Sequence, residues 1–196
     1  MRERVESPSE YAWLVHGVAL LMVGGLAGFV LSVQTARPAL APSAVATTTP
    51  TPVVNESELR AYQNVLAHDP KNYDAAVKAG NLLYDAQRYA EAIGFYQQAF
   101  ALNGRDINVS TDLGTALWYA GRASDALVQY EKSLAINATH AQTLFNVGIV
   151  RADGTHDYAG AVVAWETLLK TNPQYPDVVR VQTLLTNARE NAKGQR

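Results

Sequence analysis

Gly80, Gly114 and Gly148 stand 34 and 34 residues apart, and glycine is not alone in keeping that step. Ala92, Ala126 and Ala161 follow at 34 and 35, and the aromatic series Tyr62, Tyr96, Tyr130, Trp165 runs at 34, 34 and 35. Pro70 and Pro173 frame the set, separated by the sum of those three steps. Three residue types holding one register imply a stack of equal units. Each such unit buries its apolar face only against its neighbours.

Caps and periodicity place the helices. Asn55-Glu56-Ser57-Glu58 has the form of a capping box, opening a helix that runs to His68. Paired helices are expected at 72–85 and 89–102, 106–119 and 123–136, and 140–153 and 158–171. A last amphipathic helix at 177–192 places Val179, Val181, Leu184 and Leu185 where they can cover the third pair. Asn55, Asn108 and Asn137 also begin glycosylation triplets, but each sits at a predicted helix end, where capping accounts for it.

The signature Gly80, Ala92, Tyr96; Gly114, Ala126, Tyr130; Gly148, Ala161, Trp165 resembles the tetratricopeptide repeat family. That family sets a small Gly on the first helix of each repeat and Ala-x-x-x-aromatic on the second. The resemblance implies an all-α solenoid of three helical hairpins, at 73–106, 107–140 and 141–174, within a domain spanning 55–192. Helices at 56–68 and 177–192 close its ends. Some positions depart from the family pattern. Ala76, Ser110 and Leu144 stand where the family has Trp, Gly104 and Ala138 replace the proline between repeats, and Arg151 occupies a Tyr or Leu position. The third repeat carries one inserted residue within Asp153-Gly154-Thr155-His156-Asp157.

Members of the family bind peptides on the face lined by the first helix of each repeat. Carried over, that face is Val77, Asn81, Tyr84; Thr111, Thr115, Trp118; and Phe145, Ile149, Ala152, each trio at i, i+4, i+7 and so on one side of a helix. Tyr84, Trp118 and Phe145 are the expected anchors, and Asn81 is suited to a peptide backbone. The competing expectation is that Trp118 or Tyr84 is covered by the linker or by a terminal helix. The subgroup that clamps carboxylate chain ends requires Lys or Arg in this face. Val77, Asp112, Gln142 and Asn146 stand there, so an apolar or aromatic protein segment is the favoured partner.

Ahead of the repeats, a short tail at 1–11 leads into Ala12–Val33, 22 residues without a charge. At about 1.5 Å per residue such a helix crosses a hydrocarbon core of ~30 Å, so a single transmembrane anchor is expected at 12–33. Tyr11 and Trp13 suit the headgroup zone. Glu3, Glu6 and Glu10 spoil the positive region of a cleaved signal peptide. Arg2 and Arg4 precede the span and Arg37 alone follows, which favours the inner membrane with the C-terminal domain in the periplasm or its equivalent. Gly24-x-x-x-Gly28 would let two spans pair as a homodimer. Residues 34–54, rich in Pro, Ala and Thr, form a linker that cannot bury enough apolar surface to fold.

With 16 basic and 18 acidic residues the chain carries a net charge of −2, and no footprint for nucleic acid emerges. The absence of cysteine excludes thiolate metal sites, a thiol nucleophile and covalent haem attachment. No nucleophile elbow, phosphate loop, dinucleotide fingerprint or zinc spacing is present, so no catalytic, cofactor-binding or metal residues are assigned. Asp153-x-Thr155-x-Asp157 lacks the glycine and glutamate of a calcium loop and is expected to be a turn, with Gly154 ending one helix and Asp157 capping the next. The expected function is that of a non-enzymatic, membrane-anchored adaptor or scaffold. The stretch Asp157–Lys170 resembles the tetratricopeptide subunits of cytochrome c maturation, which implies an assembly role. A structural homo-oligomer and an inward-facing receptor or chaperone adaptor are the alternatives.

Overall fold

The computed structural model describes residues 53–195. The expected tail, the anchor at 12–33 with its Gly24 and Gly28, and the linker up to Pro52 lie outside the described residues. The described part contains eight α-helices and no strand. In chain order they are α1 Glu56–His68, α2 Tyr73–Asp85, α3 Tyr89–Leu102, α4 Ile107–Tyr119, α5 Ala123–Ile136, α6 Ala141–Ile149, α7 Tyr158–Thr171 and α8 Val178–Gly194. A π-helical turn, Val150–Gly154, continues α6.

Short polar side chains start four of these eight helices, because an Asx oxygen can take an amide proton that the first turn leaves unpaired. Asn55 accepts from the Glu58 amide, Asn72 from Ala75, and Asp157 from Gly160. The cap of α4 is Asp106, which accepts from the amides of Asn108 and Val109. Asn108 is therefore a first-turn residue rather than the expected cap. Glu58 departs from a full capping box: its carboxylate takes the Asn55 side-chain amide instead of the backbone N–H.

The three signature positions interlock in space. A Cβ on Gly80 would lie 2.8 Å from the Tyr96 ring, and one on Gly114 or Gly148 would overlap Tyr130 or Trp165 more deeply still. Each aromatic is almost wholly buried and reaches through to the far side of its hairpin. There the Tyr96 hydroxyl donates to Asn81 Oδ1 at 2.8 Å, Tyr130 meets the Thr115 hydroxyl at 3.0 Å, and the Trp165 indole donates to the Phe145 carbonyl at 3.1 Å. The glycine removes the one atom that would keep the ring out. Burying a ring with its polar tip satisfied makes it the largest single contributor to each hairpin.

Around that constant contact the interiors differ. In the second repeat Ser110 fills the family's Trp position with a closed polar set. Gln129 Nε2 and the Ser133 hydroxyl both lie 2.8 Å from the Ser110 hydroxyl, and all three side chains are buried. The third repeat uses Leu144, Ala164 and Leu168 in the equivalent places, all buried. The inserted residue is taken up in the π-turn, not in an exposed loop: Thr155 N–H reaches back to Val150 O, and Asp157 N–H to Arg151 O. In the first two repeats the corresponding closing bonds run from Arg88 to Leu83 and from Arg122 to Leu117, one residue shorter. Gln87, Gly121 and His156 occupy equivalent turn positions, and all three have positive φ.

Both ends are closed as expected of a solenoid. Leu59 and Leu66 of α1 are buried against the first repeat, and Val181, Leu185 and Ala188 of α8 against the third. Val179 points away from the third repeat, at 76% exposure, contrary to expectation. It lies two residues before Val181, on the far side of the helix.

Candidate protein-binding groove

α2, α4 and α6, the first helices of the repeats, line one face, and the buried aromatics described above are bonded to it from beneath through Asn81, Thr115 and the Phe145 carbonyl. Thr115 and Trp118 of α4, with Phe145, Asn146 and Ile149 of α6, surround a cavity of about 100 Å³ rimmed by Arg180. These residues include four of the expected groove positions. Trp118 is half-buried and its indole lies against the π-turn, where a Cβ on Gly154 would stand 2.5 Å from the ring. Gly154 thus serves Trp118 rather than a positive φ. Among the described residues it is the third repeat's own turn that meets this ring.

Other expected positions behave differently. Phe145 is capped from within the chain: Tyr175 stacks on it at 5.9 Å and the Arg180 guanidinium lies 5.3 Å from its centroid. Its other face lines the cavity. Thr111 does not reach the groove surface at all, being 2% exposed. Its hydroxyl donates to Ile107 O and meets Thr143 at 2.8 Å, in a buried chain that continues to His140 and ties α4 to α6. Ala152 is buried inside the π-turn. Val77 is half-buried, while Asn81 is exposed; its carbonyl is engaged by Tyr96, leaving its NH2 to donate outward.

The structure adds residues that the repeat pattern does not single out. Tyr84 sits in a tyrosine cluster, edge-on to Tyr89 at 5.3 Å and 6.2 Å from Tyr119, while Tyr89 and Tyr119 stack at 4.9 Å. Tyr119 is 54% exposed. These tyrosines come from three helices, and only the hairpin geometry assembles them.

One position on the groove stripe recurs as Lys78, Asp112 and Asn146, spaced by 34 residues. Lys78 reaches over the Tyr62 ring, with its ammonium 5.9 Å from the centroid. Asn146 accepts from Gln142 and donates to Thr115. Asp112 is half-buried between them. Burial, reinforced by the charges of Asp106 and Asp85, pushes its carboxyl up to about 6. Burial also raises the phenols of Tyr84, Tyr96 and Tyr130, each of which feels the Asp112 charge. They stay neutral donors at any ordinary pH.

Two wider clefts lie between α3 and α5, at about 300 Å³ beside Phe100 and Val128 and about 560 Å³ beside Phe100 and Ile136. The stems and charges of Arg122, Asp125, Arg105 and Lys132 line them, so they hold no convergent set of donors and acceptors. In the Asp153–Asp157 turn, Thr155 donates to Arg151 O, and Asp157 caps α7 while meeting Arg151.

Residues 59–105 match the family model described as tetratricopeptide repeat. No curated protein sequence matches the chain. Among solved structures, the MamA protein superposes with a TM-score of 0.63 at 23% identity, over 69% of this chain and 72% of that one. The Sgt2 TPR domain from Aspergillus fumigatus gives 0.56 at 20% identity, over 62% and 79%. The first TPR of Spaghetti (RPAP3), bound to an HSP90 peptide, gives 0.57 at 16% identity, over 64% and 96%. Likeness at these identities establishes the tetratricopeptide-repeat fold.

Proposed function

We propose that this tetratricopeptide-repeat domain is the binding end of a membrane-anchored adaptor, which captures a protein segment on the face of α2, α4 and α6. One observation carries the reading: the cavity walled by Thr115, Trp118, Phe145, Asn146 and Ile149, where aromatic and aliphatic surface meets the bonded side chains of Thr115 and Asn146 on one concave site. Apolar walls with a few placed polar groups are what a peptide side chain needs. The tetratricopeptide module of RPAP3, solved with an HSP90 peptide, is similar in fold. In this chain Asp112 stands on the groove stripe, so the ligand is not an acidic chain end.

The anchor is proposed from Ala12–Val33, with the domain on the exocytoplasmic side because Arg2 and Arg4 precede the span. A role in an assembly pathway such as cytochrome c maturation rests on the Asp157–Lys170 stretch alone.

The test is photo-crosslinking in cells from two single positions of the full chain, Tyr119 at the groove cavity and Val128 on the outer face. Capture from Tyr119 and none from Val128 is expected, with Trp118→Ala losing the partner while keeping the helical circular dichroism signal. Capture from Val128 alone would move the binding face to the outer clefts. A topology reporter fused after Arg196 checks the side of the membrane.

A further inference from the structure

The groove stripe carries one charge with no partner. Of its three members, Lys78 lies over Tyr62 and Asn146 is bonded at both ends, but among the described residues Asp112 accepts no hydrogen bond and enters no ion pair. Two cations near the groove lie over rings, Lys78 over Tyr62 and Arg180 over Phe145 at the rim of the cavity. The other carboxylates around it are Asp85 at the end of α2 and Asp106, which caps α4 and takes the Tyr73 hydroxyl. Tyr84, Tyr96 and Tyr130, from α2, α3 and α5, are near enough to feel the Asp112 charge. A half-buried carboxylate with neither donor nor counter-ion is a poor setting for a bare anion and a good one for an incoming cation.

We infer that the segment bound in the groove presents a lysine or arginine side chain to Asp112, close in sequence to an apolar side chain that fills the cavity beside Trp118. The inference rests on the groove reading and deepens it. Charge complementarity selects the partner: a basic head pairs with the carboxylate in a partly desolvated site while its stem lies along Tyr84. Geometry sets the spacing. Asp112 and Trp118 are six residues apart on α4, about 9 Å of helix rise and about 120° around its axis, a separation that an extended peptide covers in roughly three to four residues. Burial and the neighbouring carboxylates hold the Asp112 carboxyl up at about 6, so near neutral pH it is charged but under-stabilised, the condition in which an incoming cation gains most.

The test is selection of a random twelve-residue peptide library, displayed on phage, against the immobilised full chain and its Asp112→Asn, Asp112→Lys and Trp118→Ala variants. Expected is enrichment of sequences with Lys or Arg two to four positions from a large apolar residue. A synthetic copy of such a peptide should bind Asp112→Asn at least about tenfold more weakly, the size of a lost charge-assisted hydrogen bond. Asp112→Lys should drop the basic preference altogether. Ligands that lack basic residues, are lost with Trp118→Ala and bind Asp112→Asn within about twofold would overturn the inference while leaving the groove reading standing. Ligands indifferent to both substitutions, or no enrichment of any kind, would overturn the groove reading and this inference with it.

Discussion

The second and third repeats meet one packing requirement with different atoms. Ser110, Gln129 and Ser133 bond to one another inside the second, where Leu144, Ala164 and Leu168 pack inside the third. On the groove, Asp112 is succeeded by Asn146; at the hairpin turn, Gly121 is succeeded by His156. What does not change is a glycine pressed against an aromatic ring, Gly114 on Tyr130 and Gly148 on Trp165. The hairpin geometry therefore resides in that contact. The interior beside it is replaceable provided each solution is complete within itself.

The contact itself gives the largest expected effect. Gly148→Ala puts a methyl inside the Trp165 indole, which must withdraw and release the Phe145 carbonyl. The expected loss is ~3 kcal/mol, at the upper end of overpacking costs. Gly80→Ala meets the Tyr96 ring at the milder 2.8 Å and should cost about 1 kcal/mol. Urea unfolding at constant slope measures both. Equal losses would mean that the ring contact is not what fixes the hairpins.

Transplanting one interior into the other sharpens the comparison next. Ser110→Leu alone overfills the site and strands Gln129, at an expected ~2 kcal/mol. Adding Gln129→Ala and Ser133→Leu reproduces the third repeat's solution, and the triple variant should return to within about 1 kcal/mol of the parent. A triple variant worse than the single one would show that the polar set is tied to its repeat.

These contrasts also mark what the sequence discloses. The glycine, alanine and aromatic steps locate every hairpin, since each is a close approach, and most helix ends follow within about one residue, although α6 gives way to the π-turn after Ile149 and α8 runs on to Gly194. The groove is less legible. Thr111 and Trp118 share a helical face by periodicity, yet only the crossing of α4 and α6 decides that Thr111 is swallowed by Thr143. Phe145 is met by Tyr175 and Arg180, which lie beyond the last repeat. The register predicts an inserted residue in the third repeat, but its absorption into a π-turn depends on Gly154 making room for Trp118. Side chains supplied by a neighbouring element leave no periodic trace.

Asp112→Asn makes the groove position of the second repeat that of the third. The folded carboxyl is raised to about 6, by burial first and then by Asp106 and Asp85, above its unfolded value near 3.9. An acid raised on folding adds stability that is whole below the unfolded value and is lost as pH rises through the folded one. Above pH 6 the parent therefore carries a penalty that asparagine lacks. The variant should be more stable by about 1 kcal/mol at pH 7 to 8, after discounting for the solvent that still reaches the site, and no more stable at pH 4. His140, whose pKa is lowered by burial, titrates in both proteins and cancels in the difference. A gain equal at both pH values would show that Asp112 is fully solvated, and a solvated carboxylate would not favour a basic ligand.

The smallest effect lies at the turns. His156 holds φ at 54° and Gly121 at 78°, a backbone region that costs a side-chain-bearing residue free energy and glycine none. His156→Gly relieves that strain but frees the unfolded chain, so the expected net gain is only ~0.5 kcal/mol. Gly121→Ala should lose about 1 kcal/mol. His156 also touches the Tyr158 ring at 6.1 Å, and its carbonyl, which glycine keeps, accepts from Gln195. If His156→Gly is instead as damaging as Gly121→Ala, the imidazole contact outweighs the backbone, and the third turn is held by its side chain where the second is held by its glycine.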